Sequence, residues 1–459
     1  MMRLGINVGD VETSCIVMNR HSRIVALSKT ATTPVILDGI QAALQQILAD
    51  PGIAPHEIKA VILGTTHCYQ ALMNEKALAK VCAIRIGQVK GSIPPFFDAS
   101  DSLREAIGFT YFELDGGHEI DGRLLGTAPS RLQLEEQLRS RAWQNIEAFA
   151  ITSTFSPINK SHEDTVANWI REIAGEGYAF SLSHELGSLG FLERENTTIL
   201  NAALSKVMKQ ILQDVEALLQ AQGVHSRIYF TQNDGSLMAY EYALLYPIRT
   251  LYSGTSTGFR GASFLTKKND FILVDIGKRN TNVGVLEEGF PKTTWKNQRI
   301  AGTFVNIQIP DIVSLPFGSD DLVTDTILDK LYQAVQRFSP QFGALPIVFV
   351  GEGSTAFHSR FRYPWAEVIQ PTLYEHTSAI GACMAPVTGS VDRVYGTKGK
   401  KREEAIEAAK REAIAETIRA GAVPESVIIQ KIRTLNFPEI PMHAIRVEVK
   451  AIGEVYTDF

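Results

Sequence analysis

Two stretches of this chain share one plan, INVGDVETSCIV at residues 6–17 and VDIGKRNTNVGV at residues 274–285. Each reads as an apolar strand ending in a carboxamide or carboxylate, then a glycine, a short turn, a threonine and another strand. Equivalent residues stand 268 positions apart: Asn7 and Asp275, Gly9 and Gly277, Thr13 and Thr281. A constant offset over a whole strand–turn–strand unit predicts two related halves, each opening with a β-hairpin. The alternative is that tight hairpins commonly contain glycine beside a polar residue.

Two such hairpins facing each other are suited to holding the phosphates of a nucleotide. Backbone N–H groups at a glycine turn favour anions, and an acid at the strand end can hold Mg²⁺ through water. A third glycine turn, at residues 350–354, would cover the adenosine, because glycines permit close approach to a flat base. The predicted ATP and Mg²⁺ site consists of Asn7, Gly9, Asp10, Thr13, Gly277, Lys278, Thr281, Gly351, Gly353 and Ser354. Asp275 is predicted to be both a metal ligand and a catalytic residue.

The composition is that of an ordinary soluble protein. The 459 residues are 45% hydrophobic and 21% charged, with a formal net charge of -5, so nucleic acid is not the expected partner. The four cysteines lie far apart without CxxC spacing, which argues against a disulfide framework and a zinc ribbon. No apolar run reaches the roughly 20 residues that span a bilayer, and the N-terminus lacks signal-peptide features. We expect a cytoplasmic protein without a membrane segment.

Strands alternate with helices along the chain, which predicts α/β layers. A long helix is predicted at residues 194–222, where apolar residues recur at helical spacing, and a charged surface helix at residues 398–420. We divide the chain into an N-terminal lobe at residues 1–190, a second lobe at 191–395 and a C-terminal helix with closing strands at 396–459.

Histidines supply further candidate site residues. His118, His162 and His184 each precede a glutamate, and imidazole with carboxylate suits zinc or manganese. We therefore predict that His118 and His184 join Asp275 as metal ligands, the alternative being helix caps and hydrogen-bonded loop histidines. Thr66 and His67, at a predicted helix start, are candidate catalytic residues. The alternative there is a capping cluster formed by two neighbouring threonines.

Several longer blocks carry a resemblance to a known family. They are GTTHCYQALM (64–73), TSTFSPINKSHE (152–163), SLSHELGSLGFLERENTTILNAAL (181–204), TQNDGSLM (231–238), SGTSTGFRGASFL (253–265) and HTSAIGAC (376–383). Together with the hairpins they resemble the hydantoinase A/5-oxoprolinase family, over nearly the whole chain. The blocks at 181–204 and 231–238 are the most specific.

The resemblance implies a two-lobed α/β fold of the actin-like and sugar-kinase-like ATPases, with duplicated β-hairpin phosphate loops. It implies ATP-dependent opening of a cyclic amide such as a hydantoin, 5-oxoproline or a lactam, or in relatives carboxylation of a ketone. Phosphorylation of the amide oxygen makes the carbonyl carbon open to attack. A second, hydantoinase-B-like subunit is implied as the partner.

The phosphate loops depart from the family pattern. The first family loop reads Asp-Val-Gly-Gly-Thr-x-Thr-Asp, whereas here Asn7 replaces the acid, Asp10 replaces a glycine and Glu12 adds negative charge. Carboxylates beside a phosphate site repel the ligand unless a cation intervenes, and Lys278 or Arg279 could supply that charge. Two interpretations stay open, a divergent working enzyme and a pseudo-ATPase that serves as a scaffold subunit.

Overall fold

The computed structural model describes residues 2–9, 11–33, 36–87, 93–139, 145–295, 298–342, 345–396, 402–436 and 444–456. Asp10, one of the predicted phosphate-site residues, lies outside them. The strands are β1 (Met2–Val8), β2 (Glu12–Asn19), β3 (Ile24–Ala31), β4 (Ile58–Thr65), β5 (Val81–Ile86), β6 (Thr110–Leu114), β7 (Ala148–Ser153), β8 (Ala179–Leu182), β9 (Arg227–Thr231), β10 (Leu237–Ala239), β11 (Phe271–Ile276), β12 (Thr281–Glu287), β13 (Phe290–Pro291), β14 (Thr293–Thr294), β15 (Arg299–Ile300), β16 (Thr303–Phe304), β17 (Ile309–Pro310), β18 (Ile312–Leu315), β19 (Ile347–Val350), β20 (Val368–Ile369), β21 (Val387–Gly396), β22 (Ile428–Asn436) and β23 (Ala444–Gly453). The helices are α1 (Ile36–Leu48), α2 (His67–Met73), α3 (Asp101–Ala106), α4 (Arg131–Arg139), α5 (Ser161–Ala174), α6 (Ser183–Leu186), α7 (Phe191–Ala221), α8 (Tyr240–Leu245), α9 (Ser253–Thr266), α10 (Asp325–Phe342), α11 (Ser354–Arg360), α12 (Thr377–Met384) and α13 (Arg402–Arg419).

Three sheets organise the chain, which confirms the predicted mixed α/β class. Sheet I has nine strands in the order β22-β23-β21-β10-β9-β4-β1-β2-β3. Sheet II has six, ordered β13-β12-β11-β19-β20 with β18 beside β12, and sheet III is the four-stranded sheet β6-β5-β7-β8. Sheet III is parallel throughout, as expected for buried apolar strands joined by helices.

The two predicted hairpins are present and are built alike. In sheet I, β1 pairs antiparallel with β2 and parallel with β4. In sheet II, β11 pairs antiparallel with β12 and parallel with β19. Asn7 lies opposite Ser14, and Asp275 opposite Asn282, so the register keeps the offset of the sequence repeat. The structure therefore confirms the strand–turn–strand prediction in both halves.

The C-terminal strands close sheet I rather than forming a layer of their own. Strand β21 pairs with β10, and β23 lies between β21 and β22. Sheet I therefore draws strands from all three predicted segments, and the segment boundaries stay a prediction. The charged helix begins at Arg402 and is more than a solvated surface helix, because Ala405, Ala409 and Ala413 are buried.

Helices α9 and α12 connect sheets I and II and contact each other closely. Helix α9 leads into β11, and α12 leads back into β21. A Cβ added to Gly261 of α9 would stand 1.8 Å from the Thr377 carbonyl oxygen, and one added to Gly381 of α12 would stand 1.9 Å from that of Thr257. Only glycine allows this backbone-to-backbone contact, which sets the spacing between the two sheets.

A buried ion pair and a buried hydrogen bond connect sheet III to α7. The Arg85 guanidinium donates to both carboxylate oxygens of Glu195, at 2.9 and 2.5 Å, and both side chains are almost fully buried. Arg194 donates to the Ser153 carbonyl oxygen at 2.8 Å. The charged start of α7 thus has a structural role, because breaking such a pair leaves an uncompensated buried charge.

Candidate functional site

The tips of the two hairpins close with the same hydrogen bond. The Gly9 N–H donates to the Glu12 carbonyl oxygen at 2.9 Å, and the Gly277 N–H donates to that of Asn280 at 3.0 Å. The two repeat threonines are fully buried and bonded within the protein. Thr13 Oγ1 lies 3.0 Å from the Thr32 hydroxyl, and Thr281 Oγ1 donates to the Phe317 carbonyl oxygen at 2.8 Å. These bonds shape the turns, while the predicted phosphate contacts of both threonines stay a prediction.

Asn7 and Asp275, the equivalent strand-end residues, lie against the start of the same helix. A Cβ on Gly254 of α9 would stand 3.6 Å from Asn7 Oδ1, and one on Gly258 would stand 3.6 Å from Asp275 Oδ2. One turn of α9 therefore separates the two side chains along its length. Asn7 Oδ1 is buried and has no hydrogen-bond partner among the described residues.

The environment of the Asp275 carboxylate favours the binding of a cation. Burial, and then the charge of Glu352, raises the pKa of Asp275 to about 6. No basic side chain in the described ranges forms an ion pair with it. A buried acid without a cation is costly, so a divalent ion at this position would relieve the burial cost. The donor chemistry therefore fits Mg²⁺ at Asp275, whereas the neutral Asn7 can offer only an amide oxygen.

The third predicted turn closes over the end of β11. The Gly353 N–H donates to the Ile276 carbonyl oxygen at 3.0 Å, and a Cβ on Gly351 would stand 2.6 Å from Asp275 Oδ1. Ser354 begins α11 and accepts a 2.7 Å hydrogen bond from the Gln370 amide. The structure thus brings Gly351, Gly353 and Ser354 beside the second hairpin, while their contact with adenosine stays a prediction.

Charged side chains that the sequence did not single out bridge the two sheets here. Lys29 of β3 forms an ion pair with Glu12, and its Nζ lies 3.3 Å from Glu375 Oε2. Burial, and then a hydrogen bond with Glu12, raises the pKa of Glu352, which the nearby Lys278 charge opposes. Lys29, rather than Lys278 or Arg279, therefore forms the ion pair that offsets Glu12. Lys29 stands in an ordinary strand, so no motif could have indicated it.

Thr66 and His67 lie at the carboxyl end of β4, next to the first hairpin, since Val8 pairs with Thr65. Thr66 is the N-cap residue of α2, but its side chain makes no capping bond. The Thr65 hydroxyl instead accepts from the His67 N–H at 3.2 Å and also bonds to His67 Nδ1. Burial lowers the pKa of His67 to about 4, so the ring is neutral near pH 7. One threonine therefore caps the helix, and a catalytic role for Thr66 and His67 stays a prediction.

The buried neutral state of His67 predicts a loss of stability in mild acid. Its folded-state pKa lies below the ordinary 6.5, so as pH falls toward 4 the unfolded chain binds a proton that the folded chain excludes. We expect protonation of this residue to lower the free energy of unfolding by about 3 kcal/mol between pH 7 and pH 4. Urea unfolding at several pH values should show a shallower pH slope for His67→Gln than for wild type. The exposed control His56→Gln should leave the slope unchanged, and equal slopes in all three proteins would contradict the assignment.

The histidines predicted to bind metal have separate partners. The His118 ring stacks on that of His162 with centroids 4.1 Å apart, whereas His184 Nδ1 lies 2.7 Å from Oε2 of the buried Glu163. Within the described ranges, no group of three or more histidine, cysteine, aspartate or glutamate side chains could hold a metal ion. The structure therefore does not bring Asp275, His118 and His184 together, and the hydrogen-bonded alternative describes His184 better.

A polar cavity of about 680 Å³ lies between the end of β9, the β12–β14 region and β21–β23. Its lining includes His184, Asp234, Arg249 and Lys450, and Lys450 Nζ lies 2.7 Å from Asp234 Oδ2. The Gln-Asn-Asp block at residues 232–234 thus faces a cavity. Asn233 has a further contact, because its Oδ1 accepts the Tyr252 N–H at 2.9 Å just before α9.

All four cysteines are buried and free. A search of the described helices finds none with the length and hydropathy needed to cross a membrane.

Comparisons with known proteins place these features in context. The hydantoinase/oxoprolinase N-terminal region matches residues 3–174, and the hydantoinase/oxoprolinase domain matches residues 194–331. A curated relative, caprolactamase subunit alpha of Pseudomonas jessenii, is 25% identical over 266 residues, which are 51% of this chain and 36% of the relative. The match thus spans about a third of that protein's length.

Two solved structures share the fold. The ATP-dependent caprolactamase from Pseudomonas jessenii superposes with a TM-score of 0.78 at 14% identity, over 99% of this chain and 88% of that chain. A nucleotide-free acetone carboxylase superposes with a TM-score of 0.69 at 13% identity, with the same coverage of 99% and 88%. At these identities the likeness establishes the fold alone.

Proposed function

The chain belongs to the hydantoinase/oxoprolinase family, and from that membership we propose that it is the ATP-dependent subunit of an enzyme that opens a cyclic amide. Its substrate would be a lactam, a hydantoin or 5-oxoproline. A relative named as a caprolactamase subunit supports the lactam and the existence of a partner chain, for which we propose a hydantoinase-B-like subunit.

The observation that carries the proposal is the pair of matching hairpins, whose strand-end residues Asn7 and Asp275 both lie against α9. Gly9 and Gly277 begin turns closed by equivalent hydrogen bonds, and the turn at residues 351–354 packs on the second strand end. Such a pair can hold a chain of phosphates from two sides, because turn N–H groups are fixed dipoles that favour anions. Lys278 follows Gly277 directly and adds a positive charge at the same tip.

The roles proposed for individual side chains follow from their positions. Asp275 would hold Mg²⁺, which when bound supplies charge neutralisation to the phosphates. The turn containing Gly351 and Gly353 would contact adenosine. Thr66 and His67 would serve as the acid–base pair, since a neutral imidazole can accept a proton. The protein's contribution to phosphoryl transfer is then mainly positioning, and the phosphorylated amide oxygen becomes a good leaving group.

The acidic side chains in the same cleft favour a second candidate, a pseudo-ATPase scaffold subunit. Burial, and then Glu12 of the first hairpin, raises the pKa of Glu352 in the turn after β19, and only Lys29 forms an ion pair with Glu12 among the described residues. Two carboxyl groups at a phosphate site repel the ligand. In this candidate function the chain would keep the fold and the subunit contact while the partner performs the chemistry.

Turnover measurements separate the two candidates. The purified chain, alone and with a candidate partner subunit, would be incubated with Mg²⁺, ATP and caprolactam, hydantoin or 5-oxoproline. The enzyme proposal predicts phosphate release that rises on addition of one cyclic amide, together with the ring-opened product. A stable complex that releases no phosphate with any of the three amides would support the scaffold instead.

A further inference from the structure

The start of helix α9 combines a free helix N-terminus with a buried hydroxyl that has no partner. The helix has 14 residues, and its N-cap residue Tyr252 provides no side-chain cap. Ser253, the first residue, is 1% exposed, and its Oγ has no hydrogen-bond partner in the part of the chain that the structure describes. The first N–H groups of a helix lack intrahelical acceptors and carry the positive end of the helix dipole.

A second unpartnered group reaches the same point from another element. Asn7 Oδ1, at the end of β1, is buried without a partner and lies against Gly254. Buried polar groups are nearly always hydrogen-bonded, so two orphaned groups at one helix start indicate a ligand that supplies the missing bonds. Whether Asn7 presents its oxygen or its NH₂ is set by that ligand, since an amide can turn over.

Hydrogen bonds within the protein fix the position of the start of α9 without a ligand. Asn233 Oδ1 accepts the Tyr252 N–H at 2.9 Å, and the Ser256 hydroxyl donates to the Asn233 carbonyl oxygen. On the opposite side, the Ser378 hydroxyl donates to the Gly254 carbonyl oxygen at 3.2 Å. The donors of the first turn are therefore positioned before any ligand arrives.

The chemistry of these groups selects an anion. The helix dipole, the Ser253 hydroxyl and a neutral amide favour negative charge, and the family's acid is absent because residue 7 is asparagine. Asp275 lies one helical turn further along α9, so the anion would need a cation between itself and that carboxylate. A phosphoryl group with its Mg²⁺ on the Asp275 side meets both conditions.

We propose that the first turn of α9, residues 253–255 together with Asn7, binds the tetrahedral phosphoryl group that is transferred in the reaction. The inference rests on the proposed function for its setting, and it adds a third, helical phosphate element to the two hairpins. The same chemistry would hold the terminal phosphoryl of ATP or free inorganic phosphate.

Calorimetry on the full chain tests the site in two arms. The first arm compares Mg·ADP with Mg·ADP plus beryllium fluoride, which occupies the position of the terminal phosphoryl. The second arm uses orthovanadate without nucleotide, followed by ⁵¹V NMR. The variants are Ser253→Ala, Ser253→Asp and the control Ser263→Ala, which alters a hydroxyl at the other end of the same helix.

We expect the affinity of Ser253→Ala for Mg·ADP to lie within about twofold of that of wild type. The additional affinity that beryllium fluoride provides should fall by about tenfold to hundredfold, as for the loss of a hydrogen bond to a charged group. Ser253→Asp should lose the same increment, because its carboxylate would repel the anion. A merely structural Ser253 would not produce that combination. Ser263→Ala should match wild type.

The outcomes separate the source of the phosphoryl group and the two proposals. If Ser253→Ala lowers the affinity that beryllium fluoride adds, the site binds the terminal phosphoryl group of the nucleotide. If Ser253→Ala lowers vanadate binding alone, the site binds free phosphate. Failure of wild type to bind Mg·ADP would overturn the ATPase proposal, and the vanadate arm would still decide the anion site. The proposed site would be overturned if wild type showed neither the beryllium fluoride increment nor vanadate binding. It would also be overturned if Ser253→Ala left both unchanged.

Discussion

Asp275→Ala is expected to lower amide-dependent ATP turnover at least about 100-fold, in line with the loss of one preorganised electrostatic group. Asp275 is the family acid that persists, whereas its counterpart in the first hairpin is Asn7. The equivalent strand end of the first hairpin carries only the amide of Asn7, so the variant removes the proposed Mg²⁺ ligand of both hairpins. Steady-state phosphate release with saturating amide measures the effect.

The stability of an Asp275 variant separates lost chemistry from lost folding. Because the pKa of Asp275 is raised from 3.8 to about 6, the folded chain holds a proton in this range that the unfolded chain has released. Stability therefore falls as pH rises from about 4 to 6, and the full cost applies at pH 7. Asp275→Asn should remove this cost and be more stable than wild type at pH 7 by about 3 kcal/mol.

The matched control is Asp329→Ala, an exposed aspartate on α10 in the same half of the chain. It should keep wild-type turnover and stability. Turnover by Asp275→Ala within a few fold of wild type would remove the second hairpin from the site.

Gly381→Ala is expected to destabilise the chain by about 3 kcal/mol or to prevent folding, as overpacking at a rigid contact does. The added Cβ would stand 1.9 Å from the Thr257 carbonyl oxygen, which belongs to the backbone of α9 and cannot rotate away. The helices would have to separate, and Asn7 and Asp275, which both lie against α9, would lose their spacing. A variant that still folds should therefore bind nucleotide more weakly.

Guanidinium unfolding compares this variant with Gly177→Ala, where an added Cβ has no heavy atom within 4 Å. We expect the control to change unfolding free energy by less than about 0.5 kcal/mol, as at an ordinary surface position. Equal midpoints for the two variants would show that the crossing of α9 and α12 is not the tight contact described.

The repeat in the sequence predicted both hairpins, because strand–turn–strand order and a constant offset are local properties of the chain. The register of Asn7 with Ser14 and of Asp275 with Asn282 follows directly from that pattern. The glycine turn at residues 351–354 was also predicted in the right place. In each of these cases the deciding information lies within a few neighbouring residues.

Long-range partners could not be predicted in the same way. The ion pair of Lys29 with Glu375 joins residues 346 positions apart, which come close only when the whole chain has folded. The addition of β21 and β23 to sheet I likewise depends on pairing with β10, which no periodicity encodes. The structure does not group His118 and His184 with Asp275 among the described residues, because His-Glu dipeptides carry no information about convergence in space.

Calorimetric titration of the purified chain with ATP and Mg²⁺ tests the central claim, that the paired hairpins and α9 form a nucleotide site. The account predicts saturable binding by wild type that requires Mg²⁺ and is abolished or strongly weakened in Asp275→Ala. Binding should also weaken below about pH 6, where Asp275 takes up a proton. No detectable binding by a chain shown to be folded would contradict the account and identify the partner subunit as the place to look for catalysis.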